Sequence, residues 1–309
     1  MLGIRFLLNS NCNYNCFFCH HEGYYSRTRN QPMSVDSYVY LYQTLQEICN
    51  LRLVTLSGGE PLLYPSICCL VEELKLAGCT LKITTNGYHL EKVVSKLSLI
   101  DKFNISLHSL NENEYNAVTG TVNCLNKVKR NINQLRQKFP DVSLSINVTL
   151  LPGINNNPIT IGGLIDYAVS LRAGIKLIAK YTDSDHDDKV FQNIIKILTS
   201  RGFQLKNGSL RKIRYNNGLI DLYLTRVLCD AVEFSSNKQT FCQDNNDIIV
   251  AEGTKLLTCR KNNYYIDIEE ALRQRDTKML QKKIAKCISL LGSYCGKENS
   301  CGYQEKGNN

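Results

Sequence analysis

Apolar residues along the chain follow two alternating rhythms. Short β-type runs occur at Ile4–Leu8, Leu53–Leu56, Leu81–Thr85, Phe103–Leu107, Leu144–Leu150 and Ile175–Ile178. Between them lie stretches with helical spacing: Ser34–Cys49, Tyr64–Ala77, His89–Leu97, Asn123–Lys138, Ile161–Leu171 and Asp188–Thr199. The first rhythm predicts strands and the second helices. Ser34, Asp36 and Ser37 form a helix-start cluster, and Gly78 and Gly174 sit where helices should stop. Six strands alternating with helices predict an α/β fold with a parallel sheet, right-handed crossovers and ligands at the C-terminal strand ends. Beyond about residue 202 the rhythm changes. Arg214–Leu224 and Ile248–Leu257 read as antiparallel strands, Ile266–Arg273 and Met279–Leu291 as helices, and Lys297–Asn309 as a loose polar tail. The predicted organisation is a core over residues 1–201 and a C-terminal extension over 202–309.

Composition narrows the class. Of 309 residues, 43% are hydrophobic and 21% charged, which excludes wholesale disorder and provides for a sizeable core. No apolar run approaches the ~18 residues needed to span a bilayer. Met1–Leu8 runs straight into Asn9, Ser10, Asn11 and Cys12, so it reads as a first strand and not as an export signal. The expectation is therefore a cytoplasmic protein without a membrane partner. Thirty-seven Lys and Arg against 28 Asp and Glu give a net charge of +9. That suits an anionic partner such as a nucleotide, or reflects scatter from a Lys- and Asn-rich composition. No aromatic-interleaved basic stripe marks a groove, and no nucleic-acid partner is expected. Fourteen cysteines without an export signal point to metal or cluster ligation and away from a disulfide framework.

The first strand leads into Cys12-Asn-Tyr-Asn-Cys16-Phe-Phe-Cys19, a C-x3-C-x2-C loop. Three thiolates this close in sequence suit three irons of a [4Fe–4S] cube, leaving the fourth iron open for a ligand. A zinc site completed by His20 or His21 is the other reading of the loop alone. The second strand leads into Leu56-Ser57-Gly58-Gly59-Glu60-Pro61-Leu62. Glycines there let backbone approach a ligand. Thr84-Thr85-Asn86-Gly87 follows the third strand, and Asn104-Ile-Ser106-Leu-His108-Ser109 lies at the fourth. Asn147 to Asn155, with Pro152-Gly153 inside it, covers the fifth strand and its exit.

The order and spacing of these segments resemble the radical S-adenosylmethionine (SAM) superfamily, in the branch containing the molybdenum-cofactor GTP 3',8-cyclase. Phe18, immediately before the third cysteine, matches that family's C-x3-C-x-Φ-C pattern. The resemblance implies a partial parallel (β/α)6 TIM-type barrel with a C-terminal α+β extension. It implies that Cys12, Cys16 and Cys19 hold a [4Fe–4S] cluster. Phe18, Gly59 and Ser106 would contact SAM, with Glu60 near its amino group. Gly58, Thr85, Asn86 and Asn147 complete the implied cofactor-binding set. One electron from a reducing partner such as flavodoxin or ferredoxin would cleave SAM to a 5'-deoxyadenosyl radical, which takes hydrogen from the substrate.

After residue 202 the resemblance frays. GTP cyclases carry a second cluster on C-x2-C-x13-C. Aligning its last cysteine on Cys259 puts the first on Cys242 and the middle position on Asn245. The two arginine positions nearby become Asp247 and Ile249, and Thr55 and Ser145 stand where the cyclase has an arginine and a lysine. Arg5 does match. A triphosphate needs several fixed cations or N–H donors, so these replacements predict a relative with a different substrate. Cys242, Cys259, Cys295 and Cys301 form a candidate second [4Fe–4S] site, with Cys229 and Cys287 as substitutes. Alternatively these are spare buried thiols. Cys49, Cys68, Cys69, Cys79 and Cys124 read as packing residues. His186 reads as part of a solvated loop and helix start, and Tyr14, Tyr24 and Tyr25 as cavity lining at most. The expected activity is hydrogen abstraction from a small-molecule substrate (a nucleoside or sugar) or a peptide. GTP 3',8-cyclisation is the alternative within the class. A non-catalytic Fe–S electron-transfer or redox-sensing protein is the alternative outside it.

Overall fold

The computed structural model describes residues 3–19, 32–180, 185–208, 212–227, 247–251, 254–258 and 265–291. In chain order the elements begin with β1 (Gly3–Leu7), α1 (Val35–Cys49), β2 (Leu53–Ser57), α2 (Ile67–Leu76) and β3 (Thr80–Thr85). A 3-10 segment (Leu90–Leu99) follows, then β4 (Lys102–Ser106), α3 (Glu112–Thr119) and α4 (Leu125–Lys138). Next come β5 (Ser143–Leu150), α5 (Pro158–Ser170), β6 (Gly174–Lys180) and α6 (Asp185–Ser200). The rest comprises β7 (Gln204–Gly208), β8 (Lys212–Asn216), β9 (Asp221–Val227), β10 (Asp247–Ala251), β11 (Lys255–Leu257), β12 (Ile266–Asp267), α7 (Glu269–Gln274) and α8 (Thr277–Leu290). Strands β1–β6 alternate with helical segments, an arrangement of the α/β class, while β7–β9 and β10–β12 add to the strands of separate units.

The chain divides into two compact units. The first comprises residues 1–12, 20–83 and 236–309. Its strands run in the order β12-β11-β10-β1-β2-β3. β10, β1, β2 and β3 are parallel, and β11 and β12 are antiparallel additions. Side chains alternate across this sheet. Ile4, Phe6, Val54, Leu56, Leu81 and Ile83 are fully buried on one face, where Phe6 meets Tyr38 of α1 at 4.8 Å. Gly3, Arg5, Leu7, Leu53, Thr55 and Lys82 share the opposite face in paired rows. Ser34 caps α1 by accepting from the Ser37 N–H, as its sequence cluster predicts.

The second unit comprises residues 13–19 and 84–235, with strand order β4-β5-β6-β9-β8-β7. Phe103, Ile105, Ile146, Val148, Ile175 and Leu177 are fully buried on one face. The other carries Lys102, Asn104, Ser106, Ser145, Asn147 and Lys176.

Several expectations need correction, among them Ile266–Arg273, which begins as β12 before turning helical. Arg214–Leu224 is not one strand but two. Asn217 and Gly218 make a turn whose N–H groups are satisfied by Asn216 and Asn217 side chains, closing a β8–β9 hairpin. The extension strands are not purely antiparallel either, because β9 runs parallel to β6 and β10 parallel to β1. Gly174 does not stop a helix but opens β6. Arg172 takes the left-handed conformation (φ 49°) after α5, leaving Gly174 free to lie close over Ser145. His89–Leu97 forms 3-10 and not α-helical turns. Helix α3, capped by Asn111, was not anticipated at all.

Candidate functional site

In the first unit, the loop leaving β1 is clasped to the loop leaving β2. Leu8 N–H donates to Ser57 O (2.9 Å), Gly59 N–H to Asn9 O (2.7 Å) and Glu60 N–H to Asn11 O (2.7 Å). Asn9 Nδ2 returns a bond to Glu60 O (3.1 Å). Only glycine permits this approach. A Cβ on Gly58 would lie 2.6 Å from Asn9 O, at φ +132°, and one on Gly59 would collide with Asn11 O. These glycines were expected to bring backbone to a ligand; here they bring it to the strand of chain that ends in Cys12. Glu60 is 1% exposed and its Oε1 accepts the Leu62 N–H (3.1 Å), capping the 3-10 turn Pro61–Leu63. Asn9 is 4% exposed and its Oδ1 has no partner among the described residues. A buried acceptor left open in this clasp is suited to an ammonium donor such as that of an amino-acid moiety.

The opposite face of the same sheet departs from a polyanion site. Arg5 Nη2 pairs with Asp247 Oδ2 at 3.3 Å. Asp247 fits because Gly3 has no side chain; a Cβ there would lie 2.6 Å from Asp247 Oδ1. Thr55, between Arg5 and Lys82 in one row, is fully buried, and its hydroxyl has no partner among the described residues.

In the second unit, the rest of the cysteine loop rests on α3 and the β3 and β4 exits. Asn15 N–H donates to Thr119 O (3.0 Å), at the end of α3. The Tyr14 and Tyr115 hydroxyls share a hydrogen bond of 2.9 Å. Tyr115 is fully buried, and burial pushes its hydroxyl far above the ordinary tyrosine range. Asn86 Nδ2 donates to Asn13 Oδ1 (2.8 Å) while its Oδ1 accepts the Tyr88 N–H. Thr85 Oγ1 accepts the Gly87 N–H. Within the loop, Cys19 N–H donates to Cys16 O (3.0 Å), a single turn that sets the C-x2-C pair.

Phe18 meets His108 edge-on at 5.0 Å. The Thr149 N–H donates to His108 Nδ1 (3.1 Å), so that nitrogen carries no proton and the ring proton sits on Nε2. Burial lowers the His108 pKa to about 4, so the ring is neutral at ordinary pH. Asn155, fully buried, ties the ends of β4 and β5 together. Its Nδ2 donates to His108 O (2.8 Å) and Thr149 O (2.9 Å), and its Oδ1 accepts the Leu151 N–H (2.7 Å). Ser106 and Asn147 are paired neighbours on the polar face beside this knot.

Cys12, Cys16 and Cys19 are free thiols, Cys12 and Cys19 exposed and Cys16 half-buried. An all-thiol set of three on a loop with a fixed backbone fits an Fe–S cube by donor chemistry. Among the described residues no group of three His, Cys, Asp or Glu, Cys12, Cys16 and Cys19 included, is gathered closely enough to hold a metal ion, and His20 and His21 lie outside them. Cys242, Cys259, Cys295, Cys301 and Cys229 also lie outside the described residues, as do Tyr24 and Tyr25; Cys287 is buried in α8. Cys79 is buried as expected of a packing residue, whereas Cys69 is exposed. His186 belongs to the helical backbone of α6. The sequence reading did not single out Asn9, Tyr115, His108 or Asn155 as site residues. His108 and Asn155 lay inside quoted motifs, whereas nothing in the sequence marked Tyr115.

Residues 7–160 match the family described as the Radical SAM superfamily. The chain is 28% identical to a probable GTP 3',8-cyclase of Pyrobaculum aerophilum over 285 residues, covering 90% of this chain and 89% of that one. Among solved structures it is similar to Streptococcus suis SuiB bound to S-adenosylmethionine, with TM-score 0.62 and 15% identity over 99% of this chain and 76% of that one. SuiB bound to the precursor peptide SuiA gives TM-score 0.59 and 16% identity over 84% of this chain. The match spans 59% of that SuiB chain, less than two thirds of its length. At such identities the likeness to SuiB concerns the fold.

Proposed function

We propose that this chain, whose residues 7–160 match the Radical SAM superfamily, is a radical SAM enzyme directed at an anionic small molecule of the nucleotide class. Cys12, Cys16 and Cys19 would hold a [4Fe–4S] cluster, which would supply the electron for cleavage of SAM to a 5'-deoxyadenosyl radical and so for hydrogen abstraction from substrate. The protein's own work is positioning. The Gly58–Glu60 clasp fixes the backbone that carries Cys12, and Asn9 Oδ1 offers a buried acceptor to the SAM ammonium. Asn13, Tyr14 and Asn15 are pinned to Asn86, Tyr115 and Thr119, which fixes the approach to Cys16 and Cys19. His108 holds Phe18, and Ser106 and Asn147 present polar groups beside them. The observation that carries this reading is the backbone clasp between the segment leading to Cys12 and Gly58-Gly59-Glu60.

GTP 3',8-cyclisation is the first substrate reading to test, because the cyclase relative matches nine-tenths of this chain. Against GTP itself stand Thr55 in place of a cation and the engagement of Arg5 by Asp247. A nucleotide with fewer phosphates accommodates both facts. A peptide substrate is supported only at the level of fold. The reductant would be a flavodoxin or ferredoxin in a reducing compartment. No described helix is long and apolar enough to cross a membrane. A second cluster on Cys242, Cys259, Cys295 and Cys301 belongs to this proposal as well.

The test is anaerobic reconstitution with SAM, dithionite and GTP, GMP or guanosine in turn. Formation of 5'-deoxyadenosine that depends on Cys16 and rises with one nucleotide supports the reading. Cyclised GTP at the rate of SAM turnover would select the cyclase. No stimulation by any nucleotide would refute the substrate class.

A further inference from the structure

We propose that Phe17, Val122 and the first turns of α4 form the docking surface for an acidic one-electron carrier protein; this rests on the cluster reading above. Phe17 and Val122 are large apolar side chains left 60% and 74% exposed. Phe17 lies between Cys16 and Cys19. Val122 follows the α3 terminus that binds Asn15 of the same loop, where Gly120 (φ +64°) brings the chain to 2.7 Å from Asn15 O by the position of its absent Cβ.

The chain then enters α4. Between Glu114 and Asp141 it holds five basic residues and no acidic one: Lys127, Lys129, Arg130, Arg136 and Lys138. Leu125, Val128, Ile132 and Leu135 bury one stripe of α4, so the cations occupy the outer faces. Arg136, at the far end, is occupied by the Val142 carbonyl. Lys127, Lys129 and Arg130 lie in the first two turns, where positive charge opposes the helix dipole and costs stability. Lys127 is accounted for by its pairing with Glu91 Oε1 at 3.3 Å, whereas helix stability does not explain Lys129 and Arg130. Lys127 sits 3.8 Å over the Tyr88 ring, and Tyr88 meets Tyr14 edge-on at 6.2 Å. Tyr14 lies between Cys12 and Cys16, so the basic turns join the cysteine loop through two ring contacts.

An apolar centre with a basic rim is the anatomy of a transient protein interface, and the rim would steer an acidic partner. A carrier suits it better than a nucleic acid, since the patch adjoins cluster ligands and the reaction consumes an electron. Each docking event oxidises the carrier by one electron and reduces the iron–sulfur centre by one. That electron then cleaves one C–S bond of SAM, leaving methionine and the radical.

The test uses reconstituted holoenzyme with reduced flavodoxin or, separately, dithionite as electron source, and 5'-deoxyadenosine as readout. The Lys129→Glu/Arg130→Glu double variant and Val122→Ser should each lower flavodoxin-driven kcat/KM, the former about tenfold and with a flattened salt dependence. Dithionite-driven turnover should be unchanged in both. The surface is refuted if flavodoxin-driven turnover does not fall, or if both electron sources fail together. It is also refuted if the patch binds a single-stranded RNA probe in preference to flavodoxin. Absence of deoxyadenosine from wild type with dithionite would instead refute the enzyme reading, and this proposal with it.

Discussion

Asn155 is one side chain serving three backbone groups, and Asn155→Ala removes all three bonds at once. Leu151 N–H, His108 O and Thr149 O sit at 2.7, 2.8 and 2.9 Å from it, and the residue is fully buried. A typical buried hydrogen bond contributes about 1 kcal/mol net, and a group left unsatisfied costs about 1–3 kcal/mol. Allowing for water entering the space left by the amide, the expected loss is about 3 kcal/mol. In a unit of this size that lowers Tm by about 6–12 °C. The effect should also reach the site, because the same knot holds His108 beside Phe18. Asn155→Asp keeps the acceptor for Leu151 but has no donors for the two carbonyls, so it should not rescue the loss. The assay is thermal unfolding by circular dichroism of the apoprotein, followed by the KM for SAM of the reconstituted enzyme. A loss below about 1 kcal/mol, or rescue by aspartate, would refute the account of this knot.

Three further predictions follow from the same geometry. Folded His108 binds a proton only near pH 4, whereas an unfolded histidine does so near 6.5. Stability should therefore be constant above about pH 6.5 and fall by about 3 kcal/mol as pH drops towards 4. Urea unfolding across that range checks this, and a His108→Gln variant should lose that part of the slope. Asp247→Ala releases Arg5 from a half-buried pair, costing about 1 kcal/mol or less of stability. It should tighten GTP binding about fivefold by calorimetry; weaker binding would show that Arg5 does not face an anion. Tyr115→Phe removes the hydroxyl bond to Tyr14 at a cost of about 1 kcal/mol, read by thermal unfolding. An unchanged midpoint would show that the pair does not hold the loop.

The parallel core was legible because its strands are continuous apolar runs and its helices carry a clear 3.6 periodicity. β5 and α1 match their predicted ranges within a residue at each end. The cysteine loop and Gly58-Gly59-Glu60 were legible as motifs, since their chemistry depends on spacing. The packing of Gly58 and Gly59 against Asn9 and Asn11 was not, because a Gly-Gly pair reads the same whether backbone or ligand comes close. Helix α3 escaped because its eight residues are mostly polar, and only the Asn111 cap and Gly120 bound it. Arg5 read as a cation for a ligand. Its pairing with Asp247 depends on the parallel β1–β10 register, which joins residues 242 positions apart. Tyr115 acts through a tertiary hydrogen bond that no local pattern announces, and Asn155, inside the Asn147–Asn155 motif, reaches His108 as well as its own loop.

The central claim is reductive cleavage of SAM at the cysteine loop. The most direct measurement is iron content and 5'-deoxyadenosine yield of the anaerobically reconstituted protein, beside a Cys12/Cys16/Cys19 triple-alanine variant. The account predicts deoxyadenosine from the wild type alone and loss of about four irons in the variant, one cube's complement. Iron retained in full by the variant, or deoxyadenosine still formed, would contradict it.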